Sequence, residues 1–569
     1  MTHLPRDIAL ARLGYSLKRP IFALPIYRYS LGARGATELE LVPSDPWPGD
    51  TERGADMLRG DYPFSGGRVL LDGVRRNLPD AGATWLDELH GFNWLRDLRA
   101  ASGDGARRSA RELVEAWLQQ HDTWSAEAWG PLALGQRLAN WLGCYEFFGA
   151  SGDIEFRRRL LGSLSRQARH LDRALPAGLS GADLITAAKG LIYAGLCLPG
   201  GASWRRHGEA ILRREVRRQV LSDGGHVERN PSRHLMVLRD LIDVRALLHK
   251  AASQAGHETG RTGRGTGRGT EGETATFLGD AVESMAPVLR MFQHGDGGLA
   301  LFNGSTEEDG WQVDMVLQRA GNRQRALTSA PESGFQRLHA GRSLVLMDTG
   351  DPPAPGFDAL AHAGTLSFEM SVGRERLIVN CGARPGDATW QGAQRATAAH
   401  SALVLGDRNS SELTAGQGLG RRGRTLQCRR EESDSGIWLD ASQNGYLPPF
   451  GLIHRRRLYL AASGTDLRGE DRLEPRGRAR GAAFAIRFHL HPEVQSSLAR
   501  GGNSVLLRLP KGGGWELRAA GASASLEQSI YLGRAGEIRR SQQILLSGET
   551  DANGTAVKWA LRRIERSRA

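Results

Sequence analysis

Ser222-Asp223-Gly224-Gly225-His226-Val227-Glu228-Arg229-Asn230-Pro231-Ser232-Arg233-His234 runs directly into an apolar-periodic segment, Leu235 to Leu248. The Asp-Gly-Gly reads as a turn, and Asn230-Pro231 as an N-cap followed by proline at the first helical position. A loop rich in ionisable groups is thereby aimed at a helix start, where unpaired amides and the positive end of the helix dipole favour an anion. Two imidazoles, two guanidiniums and a carboxylate sit close together here, more chemistry than a connector requires. The plain alternative is a solvated turn with a well-made cap.

The periodicity differs on the two sides of this stretch. Upstream, Trp85, Leu86, Leu89, Phe92, Trp94, Leu95 and Leu98, and later Leu134, Leu138, Trp141 and Leu142, recur at three-and-four spacing, one apolar face per helix. Further helices are expected at 153–174, 182–197 and 204–221, then after Pro231, then at 277–292, with short connections that imply antiparallel packing in pairs. Trp85, Trp94, Trp124, Trp129 and Trp141 at this spacing read as core before they read as sugar platforms. Downstream of about Ser333 the runs become short and β-like, among them 343–347, 366–370, 377–379, 401–405, 457–460, 484–490 and 505–509, separated by Gly, Pro and Asp. Helices first and strands second predict a multidomain α-then-β chain: an irregular lead-in over 1–60, a helical domain over 61–325 and an antiparallel β-sandwich over 330–569. The Gly/Arg/Thr-rich insert at 252–275 has almost no apolar residues and is expected to be disordered.

With 569 residues the chain exceeds one ordinary core. It carries 75 Lys+Arg against 63 Asp+Glu, a formal +12, which favours acidic partners. No nucleic-acid-binding module is recognisable, so nucleic acid is not expected as a partner. Cys144, Cys197, Cys381 and Cys428 are far apart and show neither disulfide nor zinc spacing, so no metal is expected. No run approaches the ~20 apolar residues of a membrane span. Residues 1–41 mix Arg6, Asp7, Arg12, Lys18 and Arg19 with short apolar pieces and lack a signal-peptide core, which makes the cytoplasm the default expectation.

Several motifs in a fixed order resemble the heparinase II/III family: Leu89-His90-Gly91-Phe92-Asn93-Trp94-Leu95, Arg137-Leu138-Ala139-Asn140-Trp141, the 223–231 stretch, His294 to Gly304, Ala361 to Glu369, Arg395 to Ser401 and Phe488-His489-Leu490-His491-Pro492. The resemblance implies an incomplete α/α toroid followed by an antiparallel β-sandwich. It also implies cleavage of uronic-acid-containing polysaccharide, heparin/heparan-like or otherwise acidic, by β-elimination, and a cell-envelope or periplasmic location as the alternative to the cytoplasm. Such a reaction needs donors to neutralise the uronate carboxylate, a base for the neighbouring proton and an acid for the leaving oxygen, and requires no cofactor.

Carried onto this chain, the resemblance suggests His226, His234, His362, His400 and Tyr446 as catalytic groups, with Arg229, Asn230, Arg233, Arg395 and Glu228 contacting substrate. Two positions depart from the family pattern. Its Asn-His pair on a toroid helix is Ala182-Asp183 here, and the tyrosine after Asn-Pro or Ser-Pro is Arg233, with His234 kept. A non-catalytic glycan-binding protein therefore stands as one alternative. A glycoside-hydrolase-like use of Asp183 and Glu228 is another.

Overall fold

The computed structural model describes residues 4–564 except 33–37, 65–66, 71–82, 263–267, 322, 385–386, 415–417, 500–503 and 535. The chain divides into two units. A helical unit comprises Leu4–Gln219 with Met236–Val282, and a β unit comprises Val220–Leu235 with Glu283–Ala569. The ionisable loop of the opening motif is thus grouped with the strands that follow it, and the division comes earlier than residue 325.

In chain order the helices that matter below are α1 (Arg6–Phe22), α2 (Pro25–Ser30), α3 (Thr51–Leu58), α4 (Ala83–Gly91), α5 (Leu95–Ala101), α6 (Gly103–Gln120), α7 (Pro131–Gly143), α8 (Tyr145–Phe148), α9 (Ile154–Ala174), α10 (Ala182–Cys197), α11 (Ala202–Gln219), α12 (Pro231–Thr262) and α13 (Arg268–Phe292). Among the described residues, 1–60, expected to be irregular, therefore contain α1, α2 and α3. Helix also continues to Thr262 and resumes at Arg268 where a disordered insert was expected, and 263–267 lie outside the described residues.

Within the helical unit, α10 packs between α7 and α11. The α7–α10 crossing is close because glycines face each other: a β-carbon on Gly190 would come within 2.1 Å of the Gly135 carbonyl oxygen. Burial of α10 on nearly every side brings Lys189 inside, where its Nζ lies 2.8 Å from Asp240 and 2.5 Å from Asp243. Thr186 donates to Asp240 at 2.6 Å and Trp47 Nε1 to Asp243 at 2.7 Å, so both carboxylates are satisfied. Trp85, Trp94, Trp129 and Trp141 are all buried, as expected of core residues.

The β unit is a sandwich of two antiparallel sheets. One has eight strands, in the order Gln495–Leu498, Ser504–Arg508, Gly514–Ala520, Thr555–Arg563, Asp466–Pro475, Leu452–Ala461, Gly436–Gln443 and Thr425–Ser433. The other runs Ser523–Tyr531, Arg539–Thr550, Ala482–Leu490, Glu375–Val379, Phe368–Val372, Ser343–Asp348, Phe335–Ala340 and Ser329–Ala330, with Leu403–Leu405 pairing on Ala482–Leu490. Alternation along Leu452–Ala461 turns Leu458 and Leu460 inward and Arg457 and Tyr459 outward. Between the sheets, Phe368 stacks on Trp559 at 5.7 Å. The buried Asp471 accepts from His454, Arg456 and Trp559 at 2.8, 2.7 and 3.0 Å. A helical region followed by an antiparallel sandwich is the architecture the sequence implied.

Candidate functional site

Two loops of the β unit are built to one plan. In each, an Asp-Gly-Gly turn closes with its aspartate accepting from the second glycine's amide, Gly225 to Asp223 and Gly298 to Asp296, both at 2.9 Å. Gly224 and Gly297 take φ of +85° and +91°, which a side chain would strain. Each loop then reaches a non-glycine residue in left-handed backbone, Arg229 at φ 53° and Asn303 at φ 50°.

The loops fasten to one another. Asn303 Nδ2 donates to the Arg229 carbonyl at 3.0 Å, and Asn230 Nδ2 donates to the Asn303 carbonyl at 2.7 Å. Asn303 Oδ1 accepts the His362 amide at 3.1 Å. A β-carbon placed on Gly304 would sit 3.5 Å from both His362 Nε2 and Asn230 Nδ2, so these two side chains face the same small space.

Behind His362 stands His400. His362 Nδ1 lies 3.1 Å from His400 Nε2, and His400 Nδ1 lies 2.8 Å from the Ala396 carbonyl. A carbonyl only accepts, so His400 carries its proton on Nδ1 and its Nε2 accepts from His362 Nδ1–H. His362 therefore turns an unprotonated Nε2 toward Asn230 and Gly304. Burial pushes the His400 imidazole down to about 4 and holds that of His362 well below its ordinary value, with His400 and Arg395 adding to the effect. Both rings are neutral at neutral pH. The bare backbone of Gly364 makes room: a β-carbon there would lie 2.7 Å from His400 Cδ2.

The remaining candidates have other tasks. Arg395 is buried and donates to the carbonyls of Ala361 and Gly418 at 2.8 and 2.7 Å, while its own carbonyl accepts from Ala363 at 2.8 Å. It clamps both neighbours of His362 in place of meeting a substrate anion. Arg229 likewise pairs with Asp348 and donates to the Ser333 carbonyl at 2.6 Å, with its guanidinium 4.7 Å from the Phe335 ring centre. Tyr446 is fully buried and donates to the Leu403 carbonyl at 2.6 Å; burial raises its phenol, so its role is structural and not that of a proton donor.

His234 Nε2 is held 2.9 Å from the Met285 carbonyl, and the ring packs edge-on against Phe292. His226 is buried too, with the Glu228 amide donating to its Nδ1 at 3.4 Å. Burial takes both imidazoles down to about 3. The start of α12 is capped as its sequence predicts, Asn230 Oδ1 accepting from the Arg233 amide at 3.0 Å. The Ser232 amide donates to Ser305 Oγ at 3.2 Å, so the protein's own groups, and not a bound anion, meet two of the helix's first amides. Arg233 Nε lies 3.0 Å from Glu228 Oε2, an ion pair. Asp183 opens α10 in the helical unit, whereas Glu228 belongs to the β unit.

Of the predicted site residues, the structure groups Asn230, His362 and His400 directly. Asn303 and Gly304 have no role in the sequence reading, although an Asn-Gly pair after an apolar run is a signal for left-handed backbone. Among the described residues, no group of three or more His, Cys, Asp or Glu is placed to hold a metal ion. Among the described residues, no helix is long and apolar enough to cross a membrane. The site can accept a proton or hydrogen bond at His362 Nε2 and offers the Asn230 amide beside it.

Comparison with known proteins agrees with this architecture. A heparinase II/III N-terminus model matches residues 88–258, and a heparinase II/III-like C-terminal model matches 322–560. FtsZ-localized protein C of Caulobacter vibrioides is 30% identical, with 96% of this chain and 94% of that protein covered. A heparin-sulfate lyase of Bacteroides stercoris is 33% identical over only 20% of this chain and 17% of the lyase. A crystal structure of heparinase III superposes with a TM-score of 0.69 at 16% identity, covering 99% of this chain and 92% of that one. The two matched models and the full-length relative together show that the chain belongs to the heparinase II/III family.

Proposed function

We propose that the chain is a glycan-directed protein that localises with FtsZ and does not perform the standard elimination of its family. The observation that carries this reading is the Arg233–Glu228 ion pair, 3.0 Å apart where the family pattern has a tyrosine. A guanidinium tied to a carboxylate cannot return a proton to a leaving oxygen, and at Ala182-Asp183 the expected amide and imidazole are absent. The ligand proposed is an acidic polysaccharide or oligosaccharide, in keeping with the formal charge of +12. Its contacts are His362 Nε2 and the Asn230 amide. Localisation with FtsZ is supported by the full-length relationship to FtsZ-localized protein C; the compartment proposed is the cytoplasm.

A second reading, a lyase with a rearranged acid, is favoured by the unprotonated Nε2 of His362, which is placed to take a proton. One set of experiments separates the two. The purified protein is incubated with a panel of uronate polymers while ultraviolet absorbance follows unsaturated ends, acidic oligosaccharides are titrated calorimetrically, and the protein is pelleted with polymerised FtsZ. Saturable oligosaccharide binding that His362→Ala abolishes, co-pelleting and a flat absorbance trace are expected. An absorbance rise that His362→Ala removes would replace binding with elimination.

A further inference from the structure

Within the β unit, turns and strand ends from both sheets of the sandwich border a groove of about 1350 Å³. Arg342 and Glu375 reach it from the sheet that contains Ser343–Asp348 and Glu375–Val379. Thr465, Arg508, Lys511 and Arg563 reach it from the eight-stranded sheet, whose free edge strand, Gln495–Leu498, also contributes to the wall. The turns are fastened to one another. The Lys511 amide donates to Glu375 Oε1 at 2.7 Å, Ser343 Oγ to the Gly464 carbonyl at 2.6 Å, and the Gly373 amide to the Arg342 carbonyl at 2.7 Å. A β-carbon on Gly373 would lie 2.6 Å from Arg342 Nη2, so the bare backbone of that turn gives the guanidinium its place. The groove shares no residue with the site around His362 and Asn230.

Its charge is one-sided. Arg342, Arg508, Lys511 and Arg563 line it against one carboxylate, that of Glu375. Among the described residues, none of the four cationic side chains forms a hydrogen bond or an ion pair. Other arginines of the same eight-stranded sheet are paired: Arg455 and Arg457 share Asp440, Arg468 meets Asp466 and Arg472 meets Glu470. Uncompensated charge of one sign in a concave wall focuses the field and raises the local concentration of an anion.

Size and lining narrow the occupant. The groove exceeds the ~300–1,000 Å³ that suits a drug-sized ligand, so it takes several linked units. Trp515 is the one aromatic residue among its described lining and is 1% exposed, so no ring is presented on which nucleic-acid bases could stack. Between the cations stand the hydroxyls of Ser497 and Thr465 and the amide of Gln495, partners for sugar hydroxyls. We propose that this groove is a second glycan site, which holds a long polyanionic sugar chain through contacts of Arg342, Arg508, Lys511 and Arg563 with its carboxylates or sulfates. The inference rests on the glycan-directed reading above for the choice of a sugar as occupant. A short oligosaccharide spans too few of these exposed cations to be held by screened contacts alone, so short ligands report on His362 and long chains on the groove.

The test measures binding of fluorescein-labelled, full-length heparin to the full chain by anisotropy, beside the calorimetric titration of short uronate oligosaccharides. Heparin binding that weakens as salt rises and persists in His362→Ala is expected. Arg508→Gln/Arg563→Gln should weaken it by about tenfold or more, the loss of two charge-assisted contacts, while leaving the short-ligand titration unchanged. Arg429→Gln/Arg518→Gln removes the same charge from exposed positions outside the groove and should weaken it far less. Glu375→Gln keeps an acceptor for the Lys511 amide and should tighten binding, a gain that misfolding cannot produce. Equal losses in the two arginine pairs would overturn the groove and leave the His362 site standing. Loss of the short-ligand titration alone would strike the His362 site and leave the groove. Stronger displacement of heparin from the groove by polyglutamate or a single-stranded oligodeoxynucleotide would also overturn the proposal, because the occupant would then not be a sugar.

Discussion

His362 Nδ1 lies 3.1 Å from His400 Nε2, and the only role left to His400 Nδ1 is to donate to the Ala396 carbonyl at 2.8 Å. One backbone carbonyl thereby decides which nitrogen His362 presents. In nitrogen-15 spectra of histidine-labelled protein, His362 should show a protonated Nδ1 and a pyridine-like Nε2 at neutral pH. His400→Leu should turn this into a mixture of tautomers and weaken acidic-oligosaccharide binding by roughly 1–3 kcal/mol, the cost of leaving a buried donor unpaired. An unchanged tautomer in that variant would show that something else orients the ring.

Gly304 leaves open the space that His362 and Asn230 share. Gly304→Ala places a methyl 3.5 Å from both polar atoms, at a φ of +84°. A stability loss of about 1 kcal/mol is expected from the backbone, together with a disproportionate loss of ligand binding measured calorimetrically. Gly364→Ala should act differently, by pushing the His400 ring away from a contact of 2.7 Å and disturbing the tautomer.

Arg229→Met removes the partner of Asp348, a carboxylate that burial already raises above its usual range. Stranding it should cost roughly 3–5 kcal/mol in denaturant unfolding. Arg229→Met/Asp348→Asn should recover part of this, because the uncompensated charge goes with it.

Burial holds the imidazoles of His226, His234 and His489 down at about 3 and that of His400 at about 4. In the unfolded chain the same groups take up protons near pH ~6.5. Below that pH the unfolded state binds more protons than the native state, so stability is complete above it and falls as pH drops toward the native values. At about pH 5 each of these histidines costs roughly 2 kcal/mol. The thermal transition of the β unit should fall steeply between about pH 7 and pH 5, before the carboxylates titrate; a flat profile would contradict four neutral buried rings.

Much of the fold was legible because its signals are local. Three-and-four spacing around Trp94 and Trp141 reports helices, and alternation around Leu458 reports a strand with one buried face. Helix α1 escaped the same reading because its two stripes, one through Ile8 and Phe22 and one through Leu10 and Leu17, lie on opposite sides and cancel any single-faced pattern. Pro20 and Gly14 add the appearance of an irregular segment.

The site was legible as a set of residues and not as a set of roles. His362 and His400 could be named, but not joined, since 38 residues and a sheet connection separate them. Arg229, Arg395 and Tyr446 look like anion contacts and a proton donor in a one-dimensional motif. Only burial reveals that unpaired carbonyls and Asp348 claim them first. Lys189 gave no hint in the sequence of its two aspartate partners in α12, more than fifty residues away.

The reciprocal bonds between Arg229-Asn230 and Asn303 have a kinetic corollary. Two left-handed residues, the Arg229 carbonyl held by the Asn303 side-chain amide and the Asn303 carbonyl by that of Asn230, stiffen the wall facing His362, so much of the ordering entropy there is already lost when the chain folds. A sugar arriving at this wall should associate at a rate set by encounter, with no slow isomerisation before or after, and its complex should crystallise with a backbone superposable on that of the empty protein.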